Sequence, residues 1–201
     1  MREKRRYELK KRAEQLEETR RRITEATVEL HRTIGPAATQ ISEVARRAGV
    51  QRVTVYNHFP DEASLLAACS AHWRSLHPAP DLDAWRAIDE PGRRLRHGLE
   101  ELYAWYRETE PMTANVLRDA ELMPALGAII RRGLGRYLAE ARRVLVEPLP
   151  VRGRRRERVE TAARAAIDFH VWRTLRGLGD REAAELAAGL VELAATRRRQ
   201  P

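Results

Sequence analysis

Residues 41–60 read ISEVARRAGVQRVTVYNHFP, and this stretch has the pattern of two short helices joined by a tight turn. Ala45 is small where the two helices would come closest. Gly49 stands at the turn, where a left-handed backbone favours a residue without a side-chain carbon. The apolar positions fall where two steeply crossing helices must touch, at Val44, Ala48, Val50 and Val55.

The second of these helices would carry polar side chains on its outer face, at Gln51, Arg52, Thr54 and Asn57. Hydrogen-bond donors and acceptors of these kinds can read base edges in the major groove of DNA. The pattern therefore predicts a helix-turn-helix module that binds DNA. The alternative is an ordinary helical hairpin with a polar surface.

The composition predicts an all-α protein. Aliphatic residues dominate the apolar content, aromatic residues make up 5% of the chain, and no run of alternating β-branched residues is present. The 201 residues leave room for one large domain or for a small module joined to a larger one.

The positive charge is concentrated around the helix-turn-helix pattern. The formal net charge is +9, and residues 1–60 hold 14 Lys and Arg against 8 Glu, a net of +6. The longer remainder of the chain therefore carries only +3. A positive field suits a polyanionic partner, although charge alone does not separate nucleic acid from a membrane surface.

The cysteine count and the distribution of apolar residues predict a cytoplasmic protein. Cys69 is the single cysteine, so we expect no internal disulfide and no cysteine pair for a metal site. No apolar run reaches the roughly 20 residues that span a bilayer, and we expect no secretory signal. We therefore expect no membrane partner, no metal and no cofactor.

Three segments are predicted: a basic N-terminal extension (1–19), a helix-turn-helix DNA-binding domain (20–76) and a larger helical domain (77–201). Residues 77–80, HPAP, interrupt the helical pattern and give the second boundary. The extension is either a frayed helix or mobile tail, or an arm that contacts phosphates or the minor groove of DNA.

Helix signals divide the chain further. We expect a first helix over residues 20–34 that ends at Gly35-Pro36, a cap for the next helix at Thr39 or Gln40, and a fourth helix opened by Asp61. In the larger domain, the apolar periodicity predicts helices over residues 91–110, 113–122, 125–146, 157–175 and 180–196.

Residues 39–65, TQISEVARRAGVQRVTVYNHFPDEASL, closely resemble the DNA-binding module of TetR/AcrR-type bacterial transcriptional regulators. The resemblance is sharp over about 30 residues, and helix number and length extend it more loosely over the rest. The Tyr-x-His-Phe ending is its most specific element. The matching positions are Ala45, Gly49, Val50, Thr54, Val55, Tyr56, His58, Phe59 and Pro60.

The resemblance assigns roles to residues of the module. It implies base-facing positions at Gln51, Arg52, Val53, Thr54 and Asn57. It implies that Thr39, Tyr56 and His58 hold phosphates and that Phe59 fills the core of the module. For Tyr56 and His58, the alternative is simple packing between helices.

Two departures from the family pattern matter. Family members carry a lysine near the start of the fourth helix, where it meets a phosphate, and this chain has Glu62. That anchor is therefore absent, or is replaced by Arg46, Arg47 or the N-terminal arginines. Gln51 stands where the family has a serine, and glutamine can bond adenine through two hydrogen bonds.

One such module reads only a few base pairs, so useful specificity requires two modules on a palindromic site. The resemblance implies a homodimer formed by the last two helices, and the alternative is that their apolar faces belong to the monomer core. The candidate contacts are Ala162, Ala163, Ala166, Ile167, Val171, Leu175, Ala183, Ala184, Leu186, Ala187, Leu190, Val191 and Ala194.

The resemblance also implies a small-molecule effector, apolar or aromatic, among the middle helices of a ligand-binding and dimerisation domain. Ordinary core packing is the alternative for these side chains. Asp119 would favour a cationic ligand if it were buried and unpaired. The candidate lining residues are Tyr103, Tyr106, Met112, Asn115, Asp119, Met123, Leu126, Ile130, Phe169 and Trp172.

An enzyme is not expected, because no nucleophile has a recognisable base partner and no glycine-rich phosphate loop is present. We expect a DNA-binding transcriptional regulator, most simply a ligand-responsive repressor. The alternative is a constitutive or architectural helix-turn-helix protein without an effector. A cavity in the larger domain would favour the sensor, and a solid core would favour the alternative.

Overall fold

The computed structural model describes the backbone of residues 2–196 and the side chains of residues 6–196. In that range every regular element is helical, which confirms the all-α prediction. None of the described helices is long and apolar enough to cross a membrane. The α-helices are α1 (Arg2–Thr33), α2 (Ile41–Ala48), α3 (Arg52–His58), α4 (Glu62–Leu76), α5 (Leu82–Arg86), α6 (Pro91–Asp119), α7 (Pro124–Ile130), α8 (Arg136–Val146), α9 (Arg154–Ala166), α10 (Phe169–Leu175) and α11 (Asp180–Ala195).

The described residues form two compact units. The first joins the chain up to Pro78 with Pro111–Arg131, and the second joins Ala79–Glu110 with the chain from Arg132 onward. Residues 111–131 thus group with the first unit, although the sequence interpretation assigns 77–201 to one domain. The functional domain boundaries stay a prediction. Residues 197–201 and the side chains of residues 2–5 lie outside the described part.

The helix-turn-helix forms as predicted in the first unit. Gly49 ends α2 with a left-handed backbone, φ 65°, and Asp61 caps α4 by accepting a hydrogen bond from the backbone N–H of Ser64. Val44 and Val55 are buried. The apolar residues that pack together in this unit are Ile23, Val28, Leu30, Val44, Ala45, Ala48, Val55, Phe59, Leu65, Cys69 and Met112.

Two arginines of α1 bond the last carbonyl groups of α2 and α3. Nη1 of Arg22 donates to the carbonyl oxygen of Ala48 at 2.9 Å. Nη1 of Arg20 donates to the carbonyl oxygen of His58 at 2.6 Å, and its guanidinium lies 4.1 Å from the centre of the Phe59 ring. The last carbonyls of a helix lack partners within it and form the negative end of its dipole. α1 therefore supplies charged donors to the ends of both helices.

α1 begins at Arg2, so the prediction of a first helix starting at residue 20 is wrong. Side chains of residues 6–18 are exposed, and burial therefore does not explain the extra turns. Ion pairs one turn apart support them, because Lys10 pairs with Glu14, and Arg21 pairs with Glu18 and Glu25. The predicted tail is thus a continuation of the helix, and its role as an arm stays a prediction.

The last turns of α6 bond the end of α1. Nδ2 of Asn115 donates to the carbonyl oxygens of His31 and Arg32 at 3.0 and 2.9 Å. Nη2 of Arg118 donates to the carbonyl oxygen of Ile34 at 3.3 Å. The terminal carbonyls of α1 therefore have partners supplied by a helix more than 80 residues further along the chain.

Asp119 is buried but paired. Its carboxylate accepts hydrogen bonds from Nε of Arg118 at 2.7 Å and from the backbone N–H of Ala37 at 2.9 Å. Burial acts to raise the pKa of Asp119, but the hydrogen bonds from Arg118 and Ala37 outweigh it and lower the pKa. The condition under which Asp119 would favour a cationic ligand is therefore not met.

α6 continues through Pro111, so the prediction that it stops there is wrong. A proline inside a helix removes one backbone hydrogen bond and costs about 3 kcal/mol. Buried side chains lie on either side of it, with Tyr106 in the second unit and Met112 in the first. Burying side chains of this size contributes about 1.5–3 kcal/mol each, which offsets the cost.

The helix predicted over residues 157–175 is divided between α9 and α10. Asp168 accepts hydrogen bonds from the backbone N–H groups of His170 and Val171 and so opens α10 as its N-cap. The hydroxyls of Tyr103 and Tyr106 donate to the carbonyl oxygens of Ala166 and Ile167, both at 2.7 Å. These bonds satisfy the end of α9.

The predicted helix over residues 125–146 is also interrupted. It consists of α7 and α8, which are joined by a π-helical turn over Arg131–Gly135. The final predicted helix agrees with α11.

We predict that Gly35→Ala lowers the free energy of unfolding by about 2–4 kcal/mol, because it combines backbone strain with lost hydrogen bonds. Gly35 has φ +93°, and a Cβ there would lie 2.5 Å from Oδ2 of Asp119 and closer still to Nη2 of Arg118. Gly179 is the control, because it has φ +83° and no described atom lies within 4 Å of an added Cβ. Chemical denaturation should show a loss of only about 1 kcal/mol for Gly179→Ala. Equal losses would contradict the role of the Arg118–Asp119 contact.

We predict that Arg20→Met lowers the free energy of unfolding by about 1–2 kcal/mol, because the carbonyl of His58 loses its charged donor. Arg21→Met is the matched control on the same helix, since Arg21 is exposed and its ion pairs within residues 6–196 are with Glu18 and Glu25. Its effect should stay below about 0.5 kcal/mol in the same denaturation measurement. If Arg21→Met lowered the free energy of unfolding as much as Arg20→Met, the loss would come from removing positive charge from α1 and not from the hydrogen bond to His58.

Candidate nucleic-acid interface

α3 exposes the outer face that the sequence predicts. Gln51, Arg52, Val53 and Asn57 are exposed, and Thr54 is half-buried. In the described part of the chain, the side chains of Gln51, Arg52 and Asn57 make no hydrogen bond. Polar groups without internal partners at the surface are free to bond base edges. This face of α3 has the chemistry of a reading surface.

The three predicted phosphate contacts differ in exposure. Tyr56 is 48% exposed. Its ring is therefore not fully packed between helices, which was the alternative to a phosphate contact. His58 and Thr39 are half-buried. The hydroxyl of Thr39 donates to the carbonyl oxygen of Gly35 at 2.8 Å, which leaves its oxygen able to accept. Their phosphate contacts stay a prediction.

The start of α2 lacks a side-chain cap. Gln40 occupies the N-cap position with an extended backbone, φ −96° and ψ 140°, but its side chain makes no capping hydrogen bond. Thr39 bonds backward to Gly35 instead. The prediction of a capping side chain at either residue is therefore wrong. The first N–H groups of α2 are consequently available to an external acceptor, as at other helix N-termini that meet phosphate.

Glu43 neutralises part of the positive charge on α2. Its carboxylate accepts from Nη2 of Arg46 at 2.7 Å and from Nε of Arg47 at 2.9 Å. Hydrogen bonds from these two arginines lower the pKa of Glu43 to about 2. Arg46, the predicted DNA contact, and Arg47 are thus tied to an acid on their own helix. Neither arginine is therefore an unpaired substitute for the family lysine, whose position Glu62 occupies in this chain.

Four of the ten predicted effector contacts come together in the second unit. Tyr106, Phe169 and Trp172 form an aromatic group with ring centres 5.3–5.6 Å apart. Tyr103 is buried and bonds the neighbouring carbonyl of Ala166. The indole Nε1 of Trp172 is buried and, within the described residues, has no hydrogen-bond partner.

The other six predicted effector contacts belong to the first unit. Asn115 and Asp119 bond the end of α1 and the turn after it. Met112 lies in the core of the unit, and Leu126 is buried. The remaining two are partly buried: Met123 and Ile130. The structure therefore does not bring all ten residues into one unit.

α11 is one of the helices predicted to form the dimer, and it has a buried face and an exposed face. The alanines Ala183, Ala184 and Ala187 are buried within the second unit, as the monomer-core alternative requires. Leu186 and Leu190 are 48% and 56% exposed. Leu193, which the sequence interpretation leaves out, is 64% exposed on the same side of α11, because residues three and four apart share a helix face.

Sequence reasoning also missed the residues that position the helix-turn-helix. Arg20 and Arg22 count in the sequence only as positive charge, and no local pattern links them to Ala48 or His58. The pairing of Glu43 with Arg46 and Arg47 could have been found, because i, i+3 and i, i+4 charge pairs are visible in the sequence.

Residues 23–69 match the family described as bacterial regulatory proteins, tetR family. The transcriptional regulator SrpR of Pseudomonas putida is 36% identical over 85 residues, which are 39% of this chain and 40% of SrpR. The chain thus matches less than half of SrpR. The repressor Rv3405c of Mycobacterium tuberculosis is 33% identical over 131 residues, which are 62% of this chain and 68% of Rv3405c.

Solved structures share the fold. A TetR transcription regulator from Haloarcula marismortui superposes with a TM-score of 0.57 at 21% identity, covering 88% of this chain and 96% of that one. RolR, solved in complex with resorcinol, gives a TM-score of 0.51 at 22% identity, covering 94% and 98%. With the exposed face of α3 and the match to Rv3405c, these similarities lead to one conclusion: the chain belongs to the TetR family of bacterial transcriptional regulators.

Proposed function

We propose that this chain is a ligand-responsive transcriptional repressor that binds a palindromic DNA operator as a homodimer in the cytoplasm. The observation that carries the proposal is the outer face of α3, where Gln51, Arg52 and Asn57 are exposed and have no partner among the described residues. Arg can bond guanine and Gln or Asn can bond adenine through two hydrogen bonds each. Val53 and Thr54 add apolar contact with thymine methyl groups.

Phosphate contacts would set the register of α3 on the duplex. Thr39, at the open start of α2, and Tyr56, on the exposed side of α3, supply hydroxyls, and His58 supplies an imidazole. Arg46 contributes only if its bond to Glu43 opens or is shared. A phosphate that competes for Arg46 would therefore meet the carboxylate of Glu43, which weakens this contact relative to a free arginine.

The dimer surface in this proposal is the outer face of α11. Leu186, Leu190 and Leu193 form an exposed apolar stripe, and Gly189 between them has open space where a side chain would stand. Large apolar residues exposed together on one helix mark an interaction surface. Glycine lets a second helix approach closely. The inner alanines of α11 are excluded from this surface, because they pack within their own unit.

The aromatic group of the second unit supports an effector. A buried indole N–H without a partner is unusual, because the great majority of buried polar groups are hydrogen-bonded. An effector with an acceptor atom at Nε1 of Trp172 would satisfy it. The ligand held by RolR and the designation of Rv3405c as a repressor both favour a ligand-responsive repressor over a constitutive DNA-binding protein.

Selection of bound sequences from a random duplex pool tests the proposal. The full chain should enrich a palindrome whose half-sites lie about one helical turn, or a multiple of it, apart. Enrichment of a single unpaired half-site would contradict the dimer, and no enrichment would contradict sequence-specific binding.

We predict that Arg52→Ala weakens binding to the selected operator and relaxes discrimination at one base position by about 1–3 kcal/mol. Binding should be measured by equilibrium titration of the operator and of duplexes changed one base pair at a time. Arg164→Ala, which also removes one exposed arginine, is the control and should leave base discrimination unchanged. A loss that is equal for every duplex would make Arg52 a phosphate contact instead.

We predict that Leu190→Glu converts the dimer to a monomer, because it places a charge in an apolar interface. Sedimentation at micromolar concentration should show this change of mass. Leu122→Glu is the matched control, since Leu122 is 74% exposed in the first unit and should leave the mass unchanged. A wild-type chain that is itself monomeric would overturn the proposed homodimer.

A further inference from the structure

A cavity of about 240 Å³ lies within the first unit, between the end of α1, the turn into α2, the end of α3 and the start of α4. Drug-sized ligands occupy pockets of about 300–1,000 Å³, so this cavity fits a smaller molecule. Its apolar wall is formed by Pro36, Ile41, Phe59, Leu65, Leu66 and Met123.

His31 lines the cavity with an imidazole that has no hydrogen-bond partner in the part of the chain that the structure describes. It is 5% exposed and lines the cavity, and in the described part of the chain its imidazole makes no hydrogen bond. Buried polar groups are normally hydrogen-bonded, so this ring has unused capacity. Burial lowers the pKa of His31 to about 4, against the opposing effect of Asp119. The imidazole is therefore neutral at pH 7 and can accept a hydrogen bond.

The charge around the cavity is negative. Asp61 and Glu62 line it, and no lysine or arginine is among the described residues that do so. An anionic ligand would meet two carboxylates without a compensating cation. An ammonium group carries three hydrogen-bond donors and a positive charge, which match a neutral imidazole and nearby carboxylates.

We propose that this cavity is a second ligand site, which binds a small hydrophobic amine whose ammonium group faces His31 and the acidic residues. Two of the residues that line the cavity, Thr39 and Tyr56, are among the phosphate contacts of the proposed function. Occupancy therefore weakens DNA binding directly at the reading module. This consequence rests on the proposed function, whereas binding of the amine does not.

Calorimetric titration of the full chain with three probes of matched size tests the site. 2-Phenylethylamine should bind most tightly, neutral 2-phenylethanol at least about tenfold more weakly, and phenylacetate not measurably. Phenylacetate binding as tightly as the amine would overturn the proposal. So would the absence of amine binding.

Variants locate the bound amine. His31→Leu should weaken amine binding at least about tenfold. Glu62→Gln is a second variant at a surface position, where folding is not at risk, and it should weaken the amine while sparing 2-phenylethanol. Glu17→Gln, which removes an exposed acid of the first unit that does not line the cavity, is the matched control and should change neither affinity. Amine binding that is insensitive to both His31→Leu and Glu62→Gln, or that Glu17→Gln weakens as much as Glu62→Gln does, would overturn the site.

The effect on DNA is a separate measurement. 2-Phenylethylamine should release the selected operator from the wild-type chain, and release by His31→Leu should need at least about tenfold more amine. Amine binding without release would overturn the coupling to DNA. A chain that binds the amine but no duplex at all would instead contradict the proposed function and leave the site standing.

Discussion

The helix-turn-helix depends on contacts between α1 and the ends of its two helices. α2 and α3 are short, and isolated helices of such length are marginal in water. Arg22 bonds the last carbonyl of α2, and Arg20 bonds the last carbonyl of α3 while its guanidinium covers Phe59. These contacts satisfy the last carbonyls of both helices and attach each helix to α1. α1 therefore holds α2 and α3 in place while the outer face of α3 stays exposed.

The same constraint continues to the other end of α1. Asn115 and Arg118 bond its terminal carbonyls, and Gly35 provides the close approach that Asp119 needs to reach the following turn. Residues 111–131 belong to the first unit for this reason. A helix-turn-helix of three helices alone would lack these partners, so its predicted boundary at residue 76 leaves out part of what holds α1.

The arginines around the helix-turn-helix have three different kinds of environment. Arg20 and Arg22 stabilise helix ends, and Arg46 and Arg47 are paired with Glu43. Arg52 is exposed and has no partner in the described part of the chain. The net of +6 over residues 1–60 therefore overstates the charge that is free to meet a phosphate. In the proposed complex with DNA, Glu62 stands where the family has a lysine, so phosphate contacts depend more on hydroxyls, helix N-termini and the face of α3.

Local signals predict local features well. Gly49 at the turn, Asp61 at a cap and buried Val44 and Val55 follow from spacing within a few residues, and all are found. The continuation of α6 through Pro111 does not follow from such signals, because burial on both sides outweighs a local preference. The contacts of Arg20 and the cavity at His31 join residues far apart in the chain, and a periodicity of 3.6 residues carries no information about them.

We propose that α3 reads base edges in the major groove of the operator, and dimethyl sulfate interference on the selected operator is the direct test of this. This reagent methylates guanine at N7 in the major groove and adenine at N3 in the minor groove. N7 methylation within both half-sites should block binding, and binding by Arg52→Ala should become insensitive to N7 methylation at one guanine. Interference confined to adenine N3 would place the protein in the minor groove and exclude reading by α3 in the major groove.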